Sequence, residues 1–187
     1  MARIVVKFGT DAMAAQRIGI QIESISYVTI GGLQGAIAAF IGQNYGNKNM
    51  KRVKEGYDVS LRLVFIFGTI ISLIFILFPE PIFRVFIQDP DAVEHGIVYM
   101  QAIGYSQLFM CVEMLSVGAF NGLGKTQIPA LVAIVFTAIR IPMALVLSDH
   151  MGIVGVWWSI SISSIFKGII LVIWYKYYLK KEMIFYF

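Results

Sequence analysis

Five long apolar stretches dominate the chain, and short polar segments rich in glycine, proline and asparagine separate them. A helix needs about 20 mostly apolar residues to cross the hydrocarbon core of a membrane. Each stretch is long enough, so the pattern predicts an all-α, polytopic membrane protein with a single membrane domain. The five predicted spans are residues 14–43, 59–78, 97–120, 128–147 and 153–174.

Two shorter apolar segments are too short to cross a membrane. Residues 1–8 are typical of the last two turns of a helix, and Gly9, Thr10 and Asp11 then predict a turn. Residues 82–87 predict a helical turn that lies at the outer membrane interface. Because the chain begins partway through a helix, we expect it to be a fragment of a longer protein.

The composition supports a lipid environment and argues against several functional classes. Apolar residues make up 58% of the chain and charged residues 14%, with a mean hydropathy of +0.77. A soluble protein of this composition would have too few polar residues to cover its surface. The net charge is +4, and the basic residues lie between the apolar runs. This distribution is typical of charge next to a membrane and does not indicate a nucleic-acid-binding protein. The single cysteine, Cys111, and two histidines predict no metal site, and no set of catalytic side chains indicates an enzyme.

Loop charge predicts the orientation of the chain. Cytoplasmic loops carry an excess of lysine and arginine. We therefore expect a bacterial inner (plasma) membrane protein whose C-terminus is cytoplasmic. Arg3 and Lys7 would then lie on or near the outer side, contrary to this rule. A missing upstream region with its own charges would explain this exception. The basic residues after the first, third and fifth spans are Lys48, Lys51, Arg52, Lys54, Lys125, Lys176, Lys180 and Lys181.

Four ionisable residues fall inside the predicted spans: Glu23, Glu113, Arg140 and Lys167. Such residues are costly in lipid and normally face a bundle interior or a wet cavity. Glu113 and Lys167 lie at similar depths, and Arg140 lies about two helical turns deeper. An ion pair of Glu113 with either cation would offset much of the cost of burial.

Glu23 has no cation at its own depth in this chain. An unpaired carboxylate can bind and release a proton or capture a cation. Gln21 is close in sequence, and Tyr27 lies on the same helix face four residues later. We expect these residues, with Glu113, to bind the cation or substrate, and Arg140 and Lys167 to act as charge partners. The alternative, in which the charged residues only hold helices together, stays open.

Small residues and proline mark two further positions. Pro142 removes a backbone hydrogen bond inside the fourth span, which predicts either a kink or an interrupted helix at a cavity. Gly31, Gly32, Gly35 and Ala39 form a stripe in the first span, and close helix packing is its expected role, with a hinge as the alternative.

Five short segments together resemble the multidrug and toxic compound extrusion (MATE) family, and the resemblance covers about residues 8–178. The first span and its following loop are similar to helix eight of that family, and the junction at Gly122 to that between helices ten and eleven. The two final spans are similar to its last two helices. The matching segments are QIESIS (21–26), FIGQNYG (40–46), GAFNGLGKT (118–126), RIP (140–142) and GVWWSI (155–160).

The resemblance implies twelve helices in two lobes of six around a central cavity. It implies an antiporter, without a cofactor, that exports organic cations or drugs in exchange for H⁺ or Na⁺, with Glu23 and Glu113 at acidic cavity positions. The chain corresponds to helices eight to twelve and the end of helix seven, without the N-terminal lobe, and we expect that lobe or a partner half to complete the transporter. A truncated, non-transporting membrane fragment and a related exporter of lipid-linked saccharides are the alternatives.

Overall fold

The computed structural model describes residues 2–186, and the side chains of residues 4–183. Within that range the chain forms helices joined by short turns, with a short 3-10 turn at Val6–Phe8. The all-α prediction is confirmed. The helices are α1 (Ala2–Val5), α2 (Thr10–Gly46), α3 (Met50–Leu77), α4 (Pro79–Phe86), α5 (Pro90–Gly122), α6 (Gln127–Met151) and α7 (Ile153–Tyr186).

Five of these helices, α2, α3, α5, α6 and α7, are long and apolar enough to cross a membrane. They coincide with the five predicted spans, but most extend well beyond them. Helix α3 begins at Met50, nine residues before the predicted start, and α7 continues through residue 186. Hydropathy detects the part of a helix that matches the hydrocarbon thickness, whereas backbone hydrogen bonding continues into the polar ends.

The turns are shorter than the sequence predicts. Thr10 and Asp11 belong to α2, and the predicted turn at their position is confined to Gly9, which has φ of 101°. Residues 148–151 likewise remain helical, and α6 ends at Met151, just before Gly152, which has φ of 61°. A glycine with positive φ reverses the chain without the steric cost that other residues meet, so one residue is enough.

The two short segments are helical. Helix α1 and the 3-10 turn agree with the predicted helix end at residues 1–8, although Met1 lies outside the described residues. The predicted turn at residues 82–87 is part of α4, which begins earlier, at Pro79. Phe83 on α4 is fully buried against Gly96 of α5. The location of α4 at a membrane interface stays a prediction.

Helix α5 lies at the centre of the bundle. It packs against α2 and α3 on one side and against α7 on the other, while α6 packs mainly on α7. Many apolar side chains of the outer helices remain exposed, for example Val28 at 77% and Ile134 at 68%. Such surfaces can face lipid or pack against another membrane helix, because lipid tails and membrane helices are both apolar.

Two glycines let α5 approach α2 closely. A methyl group added to Gly118 would collide with the backbone carbonyl of Gln34, and one added to Gly122 with the carbonyl of Ala38. Small residues four apart are a common means of close helix contact in membranes. The GAFNGLGKT segment therefore has a packing role that the sequence resemblance alone did not reveal.

The predicted packing role of the small-residue stripe on α2 is wrong within the described chain. A methyl group added to Gly31, Gly32 or Gly35 would meet nothing within 4 Å. The contact of α2 with α5 is made instead by the backbone carbonyls of Gln34 and Ala38, which meet Gly118 and Gly122.

Candidate functional site

Glu23 is a buried carboxylate between two membrane-spanning helices. It lies on α2 and only 5% of its surface is exposed. The hydroxyl of Tyr99, on α5, donates a hydrogen bond of 2.5 Å to its Oε1. Tyr27, one turn further along α2, lies close enough to interact with the same carboxylate. The predicted proximity of Tyr27 is therefore confirmed, while the role of both residues in binding stays a prediction.

The ring of Tyr99 is held in place on two sides. It lies against the backbone of Gly19, where any larger residue would overlap it. The edge of the fully buried Trp157 ring meets it with centroids 5.4 Å apart. Trp157 in turn donates from Nε1 to Oε1 of Gln16 at 3.4 Å. These contacts from α2 and α7 orient the Tyr99 hydroxyl toward Glu23.

Sequence reasoning did not identify Tyr99. The predicted third span begins at residue 97, which places Tyr99 at the membrane surface. In the structure α5 begins at Pro90, so Tyr99 lies more than two turns inside the helix. The predicted start of the span therefore gave no reason to pair this phenol with Glu23.

Glu113 forms an ion pair with Lys167. The ammonium Nζ on α7 lies 2.8 Å from Oε1 of Glu113 on α5, and the two side chains are 12% and 14% exposed. The sequence allowed either Arg140 or Lys167 as the direct partner, and the structure selects Lys167. The pair joins two neighbouring helices inside the membrane-spanning region.

Arg140 lies beside this pair without a carboxylate of its own. Its Nη2 donates to Oγ of Ser163 at 3.2 Å, and Ser163 donates to the backbone carbonyl of Phe136 at 3.2 Å. The Nε group is buried and has no hydrogen-bond partner among the described residues. The charge of Glu113 acts on the guanidinium through space, so Arg140 is a second cation close to the same carboxylate.

Tyr27 lies in the neighbourhood of both carboxylates. Its hydroxyl lies within electrostatic range of Glu23, Glu113 and Arg140. Side chains from four helices thus converge on one region, which we call the intramembrane polar cluster. Its members are Glu23, Tyr27, Tyr99, Glu113, Arg140, Ser163 and Lys167.

Two predicted positions lie outside this cluster. Gln21 is exposed on α2, whereas Glu23, two residues later, is buried. Residues two apart on a helix do not share a face, so the structure does not bring Gln21 to the carboxylate. Pro142 is exposed, and α6 runs through it without interruption. The prediction of an interrupted helix at Pro142 is therefore wrong, and the kink stays a prediction.

Comparison with known proteins places the chain among membrane transporters. A profile described as MatE matches residues 1–146. The chain is 31% identical over 175 residues to a probable multidrug resistance protein NorM of Thermotoga maritima, and the match covers 89% of the chain. It is 23% identical over 164 residues to the human multidrug and toxin extrusion protein 1, with 86% of the chain covered.

Solved structures show the same fold. The MATE transporter VcmN of Vibrio cholerae, in its bent form, superposes on the whole chain with a TM-score of 0.90 at 21% identity. The chain spans 37% of the length of the Thermotoga relative, 29% of the human protein and 42% of VcmN. Because the MatE profile covers more than half of the chain, this multi-pass membrane protein belongs to the MatE (MATE) family of transporters.

Proposed function

We propose that the chain forms the C-terminal lobe of an efflux antiporter that exports organic cations or drugs in exchange for H⁺ or Na⁺. Glu23 is the carboxylate that takes the coupling ion or the cationic substrate, and Glu113 is a second cation-binding position. The mechanism requires neither a cofactor nor covalent chemistry, so the protein acts as a transporter and not as an enzyme. The burial of Glu23 beside two phenols is the observation on which this proposal rests.

The physical argument concerns the charge of Glu23. The ion pairs within the described side chains are Arg84–Glu80 and Lys167–Glu113, and neither includes Glu23. Tyr99 donates a hydrogen bond and Tyr27 lies nearby, but neither phenol carries a positive charge. An ionised carboxylate in lipid is costly without a compensating charge. A proton, Na⁺ or an organic cation supplies that compensation, and so its binding favours whichever bundle conformation holds Glu23 buried.

A second lobe and the lipid bilayer complete the proposed transporter. Alternating access in this type of fold requires two bundles that move against each other. The apolar surface of α2, which includes Ile25 and Val28, is exposed beside Tyr27 and offers a place for that lobe. We place the assembly in the bacterial inner membrane with the C-terminus in the cytoplasm, in agreement with the loop charges.

Efflux by the whole transporter, in which the six-helix N-terminal lobe and a complete helix seven precede this chain, tests the role of Glu23. Drug-sensitive bacteria that express Glu23→Gln should lose ion-driven export of ethidium, because a neutral amide cannot exchange a cation. Glu80→Gln is the matched control, since Glu80 is an exposed acid on α4. Undiminished export with an undiminished response to the H⁺ or Na⁺ gradient in Glu23→Gln would overturn the proposal.

The need for a second lobe has a separate test. The 187-residue chain expressed alone should reach the membrane and should not protect drug-sensitive cells. Protection by the chain alone would contradict the two-lobe arrangement. If the whole transporter also fails to protect against any cation tested, the alternative of a non-transporting membrane protein is favoured.

A further inference from the structure

The ion pair between Glu113 and Lys167 has a consequence for cation binding, and it builds on the proposed function. The ammonium of Lys167 occupies the position at Oε1, at 2.8 Å, that a mobile cation would take. Both side chains keep an exposed fraction, 12% and 14%, so the pair is not sealed within the bundle. The carboxylate is thus within reach of a ligand and already holds a cation.

A lysine ammonium is a compact point charge on a flexible four-carbon stem. It can leave one hydrogen-bonding position and return without movement of the helix backbone. It carries the same charge as Na⁺ or a monovalent organic cation, and it is present at a fixed high local concentration because it is attached to the neighbouring helix. A mobile cation must therefore displace it.

The other charged and titratable groups around Glu113 strengthen this competition. Arg140 on α6 adds a second positive charge near the carboxylate, and Tyr27 on α2 is a neutral phenol within electrostatic range. Among the described side chains, the ion pairs of Lys167 are confined to Glu113. A displaced ammonium therefore gains no new carboxylate, which favours its return to Glu113.

We propose that Lys167 is a tethered competitor for cations at Glu113. The ammonium holds this carboxylate when no mobile cation is bound, lowers the affinity of Glu113 for Na⁺ and organic cations, and returns when they leave. Lys167 thereby sets the affinity of one of the two carboxylates, whereas Glu23 has no such competitor among the described ion pairs. This competition keeps the affinity of Glu113 low enough for a bound cation to be released.

Equilibrium binding to the full 187-residue chain in lipid nanodiscs tests this inference. The probes are ²²Na⁺ and tetraphenylphosphonium, and binding at Glu113 is defined as the part that Glu113→Gln abolishes. Lys167→Gln removes the charge and keeps a hydrogen-bond donor, while Lys167→Met keeps only the apolar stem. Lys167→Arg retains the charge. Lys176→Met, at an exposed lysine of the same helix, is the matched control.

We expect Lys167→Gln and Lys167→Met to bind at least one probe at Glu113 at least about tenfold more tightly than the unmodified chain. Lys167→Arg and Lys176→Met should leave the affinity close to that of the unmodified chain. Removal of one partner from a buried ion pair destabilises a protein because it leaves the other charge uncompensated. The two neutral variants should therefore unfold at lower temperature, and Na⁺ or tetraphenylphosphonium should restore much of that loss.

Two results would overturn the inference, and they differ in what they say about the proposed function. If the unmodified chain binds cations at Glu113 and the neutral Lys167 variants bind them no more tightly, Lys167 only holds α5 and α7 together while Glu113 remains a cation site. If no variant binds either probe at Glu113 and no cation stabilises the neutral variants, Glu113 is not a cation site at all. The second result contradicts both proposals for this carboxylate.

Discussion

Replacement of Tyr99 by phenylalanine tests whether a phenol on α5 holds the Glu23 carboxylate. The change removes one hydroxyl group, which donates at 2.5 Å to Oε1 of Glu23. It leaves the ring in place against Gly19 and Trp157, so the packing of the site is preserved. Any effect of the substitution therefore reports on the hydrogen bond.

The size of the effect follows from the burial of both groups. Tyr99 is 2% exposed and Glu23 is 5% exposed, so water cannot replace the lost donor. A hydrogen bond contributes about 0.5–1.5 kcal/mol if Glu23 is protonated and about 1.5–3 kcal/mol if it is ionised. We expect Tyr99→Phe to lower the free energy of unfolding by about 0.5–3 kcal/mol at neutral pH. Tyr105→Phe is the control on the same helix, because Tyr105 is 50% exposed and should change stability by less than about 0.5 kcal/mol.

A double-mutant cycle separates the hydrogen bond from other effects. Unfolding of the full chain by sodium dodecyl sulfate in mixed micelles gives the stability of Tyr99→Phe, Glu23→Gln and the double variant. We expect a coupling energy of about 1–2 kcal/mol between the two positions. If Tyr99→Phe matches the unmodified chain, or if the two substitutions are additive, Tyr99 does not position Glu23 and the contact has no energetic role.

Further predictions concern the framework of the lobe and use the same unfolding assay. Gly118→Ala should destabilise the chain by about 1–3 kcal/mol, because the added methyl group meets a backbone carbonyl of α2 that cannot move aside. Gly35→Ala is the matched change on α2 and should be neutral or stabilising by up to about 1 kcal/mol, since nothing lies within 4 Å; equal losses at both glycines would refute this packing. Asn49→Ala should cost about 0.5–2 kcal/mol, because the Asn49 side chain caps α3 by accepting from the backbone N–H of Arg52 at 3.1 Å; an unchanged stability would show that this cap has no role.

The number and order of the membrane helices follow from the sequence because lipid imposes a simple local rule. A helix satisfies its own backbone hydrogen bonds, and about 20 apolar residues match the thickness of the hydrocarbon core. Each predicted span could therefore be found without knowledge of its neighbours. The rarity of charged groups in lipid also identified Glu23, Glu113, Arg140 and Lys167 as the residues that need an explanation.

Partners across helices could not be found in this way. Tyr99 lies 76 residues from Glu23 in the chain, and its hydroxyl reaches the carboxylate only because Gly19 and Trp157 hold the ring. The choice of Lys167 over Arg140 at Glu113 depends on how α6 and α7 lie against α5. Likewise, the glycines that pack closely are those of α5 and not the stripe on α2.

The sequence by itself determined that the protein is a helical membrane bundle with carboxylates in its interior, because hydropathy and the cost of buried charge act on each segment separately. Only the tertiary structure decided which cation, phenol or backbone carbonyl meets each of those side chains. Those contacts depend on the rotation and spacing of whole helices, and these are set by packing between faces that no local pattern in one segment specifies.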